Sequence, residues 1–452
     1  MSELNNLCRF CLVLVCLLWF GAVVTRAAPH YVVPTNNDSG ATSPFETWAK
    51  AATNIQDAVS AAADGETVWI TNGTYFCQGI CTNITGTLTN TAMVMITNSI
   101  TVRSFSGQYS NTIVNGYYPA WKTRVFYLDN TGAVVSGLTI TNGFSTSLSG
   151  VGVYIYNGRL MTNCLITGNI LTNDTGSKLC AGIHMTSGTV SHCIIKGNQA
   201  LGTNVSTAQI AGFYGGYYGR AIITNCLITE NSIGRGSGFG NACYLYYGVG
   251  KIVGCTISSN SAGAGVWLAG GDTWLESSVV INNTGYGVYF NERGNVRNCL
   301  ITKNARDGIY VSGNCGAKIE NSSIVHNGGS SWRGIYVESY KGVDVFYIMN
   351  TISFYNGVNG TNNWYSTNNF YTNCCTYPAA PGWNNITNYP LFVDTNSGNY
   401  RLSANSPCIN AGTNQNWMTN GVDLDWNARI RYGKVDIGAY EHINKGTVYN
   451  FQ

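Results

Sequence analysis

The chain has 452 residues, of which only 10% are charged, with a net charge of +3, 54 glycines and 29 tyrosines. That balance creates no strong field for nucleic acid or an anionic membrane surface, and no nucleic-acid partner is expected. The length would suit two or three globular domains, but a solenoid can absorb most of it because each coil contacts only its neighbours.

The first element is a leader. Arg9 precedes an apolar run from Phe10 to Val24, and Thr25-Arg26-Ala27 supplies small residues around a cleavage point, so residues 1–27 are expected to be a signal peptide. The run is short for a membrane span and no later stretch reaches such length, so the product is expected to be secreted or on the cell surface, and not an integral membrane protein. Of the sixteen cysteines, Cys8, Cys11 and Cys16 leave with the leader. An odd number remains, so at least one thiol stays free or pairs between chains.

Residues 28–80 read as an N-terminal cap and first coil. Thr53-Asn54 starts a helix with Ile55, Ala58, Val59 and Ala62 on one face, and Asp64-Gly65 ends it. A strand over Thr67 to Ile70 and a turn at Asn72-Gly73 follow. Such a helix would cover the open end of a solenoid.

Residues 81–356 carry the repeat. Asn169, Asn198, Asn231, Asn260, Asn283, Asn304, Asn327 and Asn356 each close a strand such as NCLITGN or NCLITKN, at steps of 29, 33, 29, 23, 21, 23 and 29 residues. A second pattern is Gly-apolar-aromatic-apolar, as in Gly265-Val266-Trp267-Leu268 and Gly308-Ile309-Tyr310-Val311. A third, shorter strand such as Lys251-Ile252-Val253 lies between them. Alternation of period two marks strands with one buried face, and three short strands per turn make an all-β parallel β-helix. The asparagines are expected at bends, tolerating left-handed φ and bonding backbone or the next asparagine. Cys164, Cys193, Cys226, Cys255 and Cys299, replaced by Ser278 and Ser322, alternate with isoleucines. They are read as small apolar core fillers that stay reduced.

Residues 357–452 are expected to be a separate, loop-rich closing module. Cys408 is expected to bridge one of Cys374 and Cys375, and Cys77 and Cys81 lie close enough in sequence for another bridge. Asp423, Asp425 and Asp436 form a loose carboxylate cluster, read mainly as turn formers and only secondarily as a calcium site.

Two features bear on function. Tyr154, His184, Tyr214, Tyr244, Trp267, Tyr289, Tyr310 and Tyr336 occupy one position in successive coils, and period two points them outward. An exposed row of rings would suit sugar faces, with Tyr154, Tyr214, Tyr244, Trp267, Tyr289, Tyr310 and Tyr336 as the substrate-binding set. The competing reading is that cross-coil stacking stabilises the sheet. Charge is also uneven: residues 292–344 hold twelve charged side chains against ten over 145–290. That richer segment offers Lys303, Arg306, Asp307, His326, Arg333 and Glu338 for acid–base work, against the competing reading of ordinary solvated faces.

The cap text, Thr53-Asn54-Ile55-Gln56-Asp57-Ala58-Val59 with Asn72-Gly73-Thr74-Tyr75, resembles the entrance of pectin-lyase-like right-handed β-helix proteins, as do the repeats. The tail, with Ser406-Pro407-Cys408-Ile409-Asn410-Ala411-Gly412 and Val435-Asp436-Ile437-Gly438-Ala439-Tyr440-Glu441, is similar to the choice-of-anchor Q domain of bacterial surface proteins, except that Trp426 stands where that family usually has glycine. The resemblance implies right-handed coils and a carbohydrate setting, in a superfamily that holds lyases, hydrolases, esterases and adhesins alike. The paired aspartates and Gly-His-Gly of galacturonan hydrolases and the arginine-proline signature of pectate lyases are absent from the sequence, as are HExxH, phosphate-loop and GxSxG motifs. The expectation is therefore a polysaccharide-binding or adhesion protein without cofactor or metal. A lyase or hydrolase acting on an acidic glycan is the first alternative, and a structural envelope or stalk component the second.

Overall fold

The computed structural model describes residues 27–443 except 35–39, 86–87, 173–178, 203–208, 217–218, 235–239, 313–316, 330, 339–346 and 367–369. Apart from Ala27, the expected leader lies outside the described residues, as do Cys315, Lys341 and Asp344.

The repeating unit is visible in any two successive coils. Strands Ala264–Ala269, Trp274–Glu276 and Val279–Ile281 are followed by Tyr286–Phe290, Gly294–Arg297 and Leu300–Thr302. Equivalent strands pair in parallel, with Val266 opposite Val288, Leu275 opposite Val296 and Val280 opposite Ile301. These residues point inward and are fully buried. Each buried Val or Ile contributes about 1.5–3 kcal/mol relative to leaving it in water. The first and second strands of the coils join one 23-stranded hydrogen-bonded sheet, and the third strands make a 12-stranded one. The fold is a right-handed parallel β-helix. A separate four-stranded sheet from Phe144–Ser145 to Ser232–Ile233 was not legible in the repeats.

The asparagine column is a continuous buried ladder. Asn260 Nδ2 donates to Asn283 Oδ1 at 2.9 Å, Asn283 to Asn304 at 2.9 Å, and Asn304 to Asn327 at 2.9 Å. Each Oδ1 also accepts the backbone N–H of the preceding ladder residue, and each Nδ2 reaches a carbonyl one coil back, as Asn283 does to Ile257 O at 3.1 Å. The left-handed backbone falls elsewhere than expected. It lies one residue before the ladder, at Glu230, Ser259, Lys303 and His326, with φ of 54–55°. It also lies at the first residue of the motif, where Asn163, Asn225 and Asn298 have φ of 51–57°. The ladder asparagine is retained for its amide, and the flanking one for its tolerance of αL.

The cysteine column is buried and free, but it is more than an apolar filler. Cys226 Sγ donates to Thr224 O at 3.2 Å and accepts from Cys193 N–H at 3.3 Å. Ser278 does the same, with Glu276 O at 2.7 Å and Cys255 N–H at 3.1 Å. The column selects a short side chain that both donates and accepts, which is why serine substitutes for cysteine.

The cap follows the sequence. Helix Ile55–Ala61 starts at Asn54, whose side chain accepts from Gln56 N–H at 2.9 Å, and buries Ile55, Ala58 and Val59. Gln56 ties it to the first coils by accepting from Met95 N–H at 2.7 Å.

The C-terminal module departs from expectation. The parallel ladder passes residue 356 and gains another coil, with strands Trp364–Tyr365, Phe370–Thr372, Cys375–Thr376 and Gly382–Trp383. The remaining chain then folds back along the third face instead of sealing the end. Val422 O accepts from Asn298 Nδ2 at 3.0 Å, Ala439 N–H donates to Ser323 Oγ at 3.1 Å, and Thr413 N–H donates to Asn350 Oδ1 at 2.8 Å. The cause lies in the outward positions of the third strands. Leu300, Val325 and Phe354 are apolar there and pack with Tyr400, Leu402, Cys408, Ile437 and Tyr440. Arg429 and Glu441 form a buried ion pair at 2.9 Å inside this module. The expected bridges are not formed: Cys375, Cys408, Cys77 and Cys81 are free thiols. Cys375 Sγ turns to Asn388 O at 3.3 Å, and Cys77 Sγ to Gly79 O at 3.1 Å.

Candidate functional site

The central residue of each first strand points away from the core, because its neighbours on both sides point in. Parallel register then aligns these side chains into one column of ten rings. It runs Tyr127, Tyr154, His184, Tyr214, Tyr244, Trp267, Tyr289, Tyr310, Tyr336 and Tyr365, with centroids 4.3–5.6 Å apart. Tyr127 and Tyr365 extend it by one ring at each end, hidden in the sequence because neither follows the glycine of the repeat. Cross-coil stacking, the competing structural reading, is therefore present.

The exposure expected of the column is lost over its middle. Tyr214, Tyr244 and Trp267 are only 5%, 0% and 7% exposed, because they pack with Cys180, Ile210 and Ala269 in a side cluster that Tyr246 joins. Tyr154 is half-buried, with the guanidinium of Arg124 4.8 Å over its ring. His184 sits between Tyr154 and Tyr214, and neither of its ring nitrogens has a hydrogen-bond partner among the described residues. Burial pushes it down to about 3, so it is neutral. Tyr289, Tyr310 and Tyr336 are half-buried and Tyr365 is exposed.

Ring orientation changes what that end can do. Tyr289 and Tyr310 lie 10° from parallel, Tyr310 and Tyr336 14°, and Tyr336 and Tyr365 10°. Their faces cover one another, so a ligand meets edges and hydroxyls rather than flat faces. The row is a comb of phenol groups.

Charged groups gather at this same end. Arg306 lies 5.3 Å from the ring of Tyr286 and 5.5 Å from that of Trp332, and Arg333 lies 5.1 Å and 5.0 Å from Tyr336 and Tyr365. These rings hold both guanidiniums by cation–π contact. Glu338 accepts from Tyr310 Oη at 3.0 Å, which together with burial raises that phenol. Asp307 is 1% exposed and accepts the backbone N–H of Arg333. Burial raises its carboxyl to about 6, against the opposing pull of that N–H, Arg333 and Arg306. A cleft of about 330 Å³ opens beside these groups, lined by Asn241, Trp267, Tyr286, Tyr289, Arg306 and Tyr310.

Of the charged residues singled out by sequence, Arg306, Asp307, Arg333 and Glu338 thus come together. Lys303 and His326 do not. Their backbones pair at 3.1 Å, but on the third face, where His326 packs edge-on against Tyr355 and Tyr400. The aspartates of the tail serve local structure. Asp423 accepts from Asn427 N–H at 2.7 Å and Glu441 N–H at 2.8 Å, Asp436 accepts from Asn410 N–H at 2.7 Å, and Asp425 pairs with Arg401. Among the described residues no group of three or more His, Cys, Asp or Glu side chains is placed to hold a metal. Among those residues no helix is long and apolar enough to cross a membrane.

One family model and one solved structure agree on architecture. The family described as "Right handed beta helix region" matches over residues 124–295 and 202–324. The crystal structure of pectate lyase Pel9A superposes with a TM-score of 0.52 at 17% identity, covering 92% of this chain and 96% of that one. An alginate lyase in complex with trisaccharide gives 0.46 at 13% identity, covering 83% and 91%, and a rhamnogalacturonan lyase 0.43 at 13%, covering 81% and 91%. A search of curated protein sequences finds no match. The chain is a right-handed parallel β-helix, with Arg306 and Arg333 mounted on half-buried rings near the C-terminal end of the first face.

Proposed function

We propose that the protein binds an acidic polysaccharide along the first face, across the coils that carry Tyr286, Arg306, Tyr310, Arg333 and Tyr336. The observation that carries this reading is the pair of guanidiniums mounted on rings beside a comb of phenol hydroxyls. Coils repeat at about 4.8 Å, so cations on neighbouring coils meet carboxylates spaced along an extended chain. Guanidiniums bind carboxylates bidentately, and the hydroxyls bond sugar oxygens at the ring edges. Export to the outside, where such polymers occur, is supported by the leader-like apolar run from Phe10 to Val24, and the tail's similarity to choice-of-anchor Q domains is in keeping with a cell-surface setting. The test is affinity electrophoresis in gels containing polygalacturonate, alginate or neutral glucan. Wild type should be retarded by an acidic polymer and released by salt, whereas R306A/R333A should run freely. Equal mobility of the two in all acidic gels counts against the reading.

A lyase reading is favoured by one contact, the Tyr310–Glu338 hydrogen bond beside Arg306. Arg306 would neutralise a uronate carboxylate and Glu338 would take the proton from the carbon next to it. The electrons left behind would form a carbon–carbon double bond as the glycosidic C–O bond breaks, and the departing oxygen would take a proton from solvent. Ultraviolet absorbance of unsaturated products, lost in E338Q while binding persists, is the deciding measurement.

A further inference from the structure

A second cleft lies on the opposite side of the coil from the arginines, where the back-folded module meets the third face. It encloses about 290 Å³ between Thr256, Ser277 and Val279 of the β-helix and Asp425, Trp426 and Tyr440 of the module. Its lip is the loop 422–428, closed by an antiparallel bridge between Val422 and Ala428. Asp423 fixes this loop by accepting from Asp425 N–H at 2.9 Å and Asn427 N–H at 2.7 Å.

Trp426 occupies the lip in an unusual way. Its indole is 71% exposed, and its backbone has φ of 68°, in the left-handed region. A bulky residue there pays a conformational penalty that glycine would not. Among the described residues its side chain makes no hydrogen bond, ring contact or cation contact, so nothing in the fold returns that cost. The half-buried third-face residues Leu165, Ile194, Leu227, Thr256 and Val279 stand in register and form a stripe that leads under this lip. The polar groups at the mouth are the Thr256 and Ser277 hydroxyls and the Asp425 carboxylate, whereas the Asp423 carboxylate is buried and taken up by backbone N–H groups. Asp425 is already neutralised by Arg401, which lies 5.0 Å from the Tyr440 ring.

We propose that this cleft is a second glycan subsite, separate from the arginine-bearing face, that takes an uncharged polysaccharide chain lying along the third-face stripe. The Trp426 indole, unlike the stacked tyrosines, offers a free face for a pyranose ring. The hydroxyls and the Asp425 carboxylate accept from sugar hydroxyls, and among the described residues no cationic side chain lines the cleft to pair with a uronate. The subsite needs no acidic group on the ligand, so it stands whether or not the first face binds acidic polymer.

The test compares wild type with Trp426→Gly, using cellohexaose, xylohexaose and mannohexaose as neutral probes and polygalacturonate as the acidic one. Wild type is expected to bind at least one neutral hexasaccharide. W426G should bind that probe at least tenfold more weakly, with an unchanged or higher Tm, because glycine relieves the backbone, and with unchanged polygalacturonate binding. Stability and neutral binding therefore move independently, which a structural tryptophan would not allow. Four results overturn the proposal: no neutral probe bound by wild type, neutral binding intact in W426G, a Tm several degrees lower in W426G, or competition between polygalacturonate and the neutral probe for one site.

Discussion

Replacing Asn283 by leucine, close to it in size, tests what the asparagine ladder contributes. Asn283 Oδ1 accepts from Asn260 N–H at 3.1 Å and from Asn260 Nδ2 at 2.9 Å, and its own Nδ2 donates to Asn304 Oδ1 at 2.9 Å. Leucine removes all three, together with the bonds from Asn283 Nδ2 to Ile257 O and Ile281 O. Asn260 Nδ2 keeps Ile228 O at 3.1 Å, and Asn304 Oδ1 keeps Asn283 N–H at 3.1 Å. Asn260 N–H keeps nothing, at a site sealed from water. An orphaned buried N–H costs about 1–3 kcal/mol, and each of the two lost amide–amide bonds about 1 kcal/mol, so the loss should be roughly 3–5 kcal/mol. Urea unfolding followed by circular dichroism measures the total, and hydrogen exchange at the Asn260 amide localises it. A loss below about 1 kcal/mol, with Asn260 exchanging as slowly as in wild type, would refute the idea that the amides hold the coils together.

Three further expectations follow from particular contacts. Cys226→Ser should be tolerated, because a hydroxyl can repeat the bonds to Thr224 O and Cys193 N–H, whereas Cys226→Val should cost about 1–3 kcal/mol in urea unfolding. Asp307, raised by burial to about 6 from 3.8, binds its proton more tightly when folded, so it contributes stability that is complete below about pH 4 and lost as pH rises through 6. Unfolding measured across that window should show a loss of at most about 3 kcal/mol attributable to this group, which Asp307→Asn removes while strengthening polygalacturonate binding at neutral pH. Arg429→Met leaves Glu441 buried without its cation and should destabilise the module by about 3–5 kcal/mol, read as faster proteolysis within residues 388–443.

The sequence carried the coil architecture because each ladder position repeats one physical task. An inward isoleucine, an amide that both gives and takes, and a short donor-acceptor at the cysteine column recur in every coil. The same argument placed the aromatic residues in register. It did not reveal which of them meet solvent, because the burial of Tyr244 depends on Cys180 and Ile210, which the repeat does not relate to it. Nor could register show that stacked rings spend their faces on one another. Arg306 and Arg333 were legible as charge density, but Tyr286 and Trp332, which carry Arg306, lie outside the aromatic motif. The back-folding of the module had a signal that was present but unread. The outward third-strand column that holds Lys196, Ser258 and Thr302 turns to Val325 and Phe354 where the module covers it.

The back-folded module also changes how the rod would bear tension. An uncovered β-helix pulled from its end peels one coil at a time, since each coil is bonded only to its neighbours. Here the segment after the last coil is fastened to Asn298, Ser323 and Asn350, on three different coils. Force entering through that segment is divided among three attachments before any strand begins to unzip. The coils under the module should therefore yield together at a higher force, as a single long step, while coils upstream of Cys255 come away in short, separate ones.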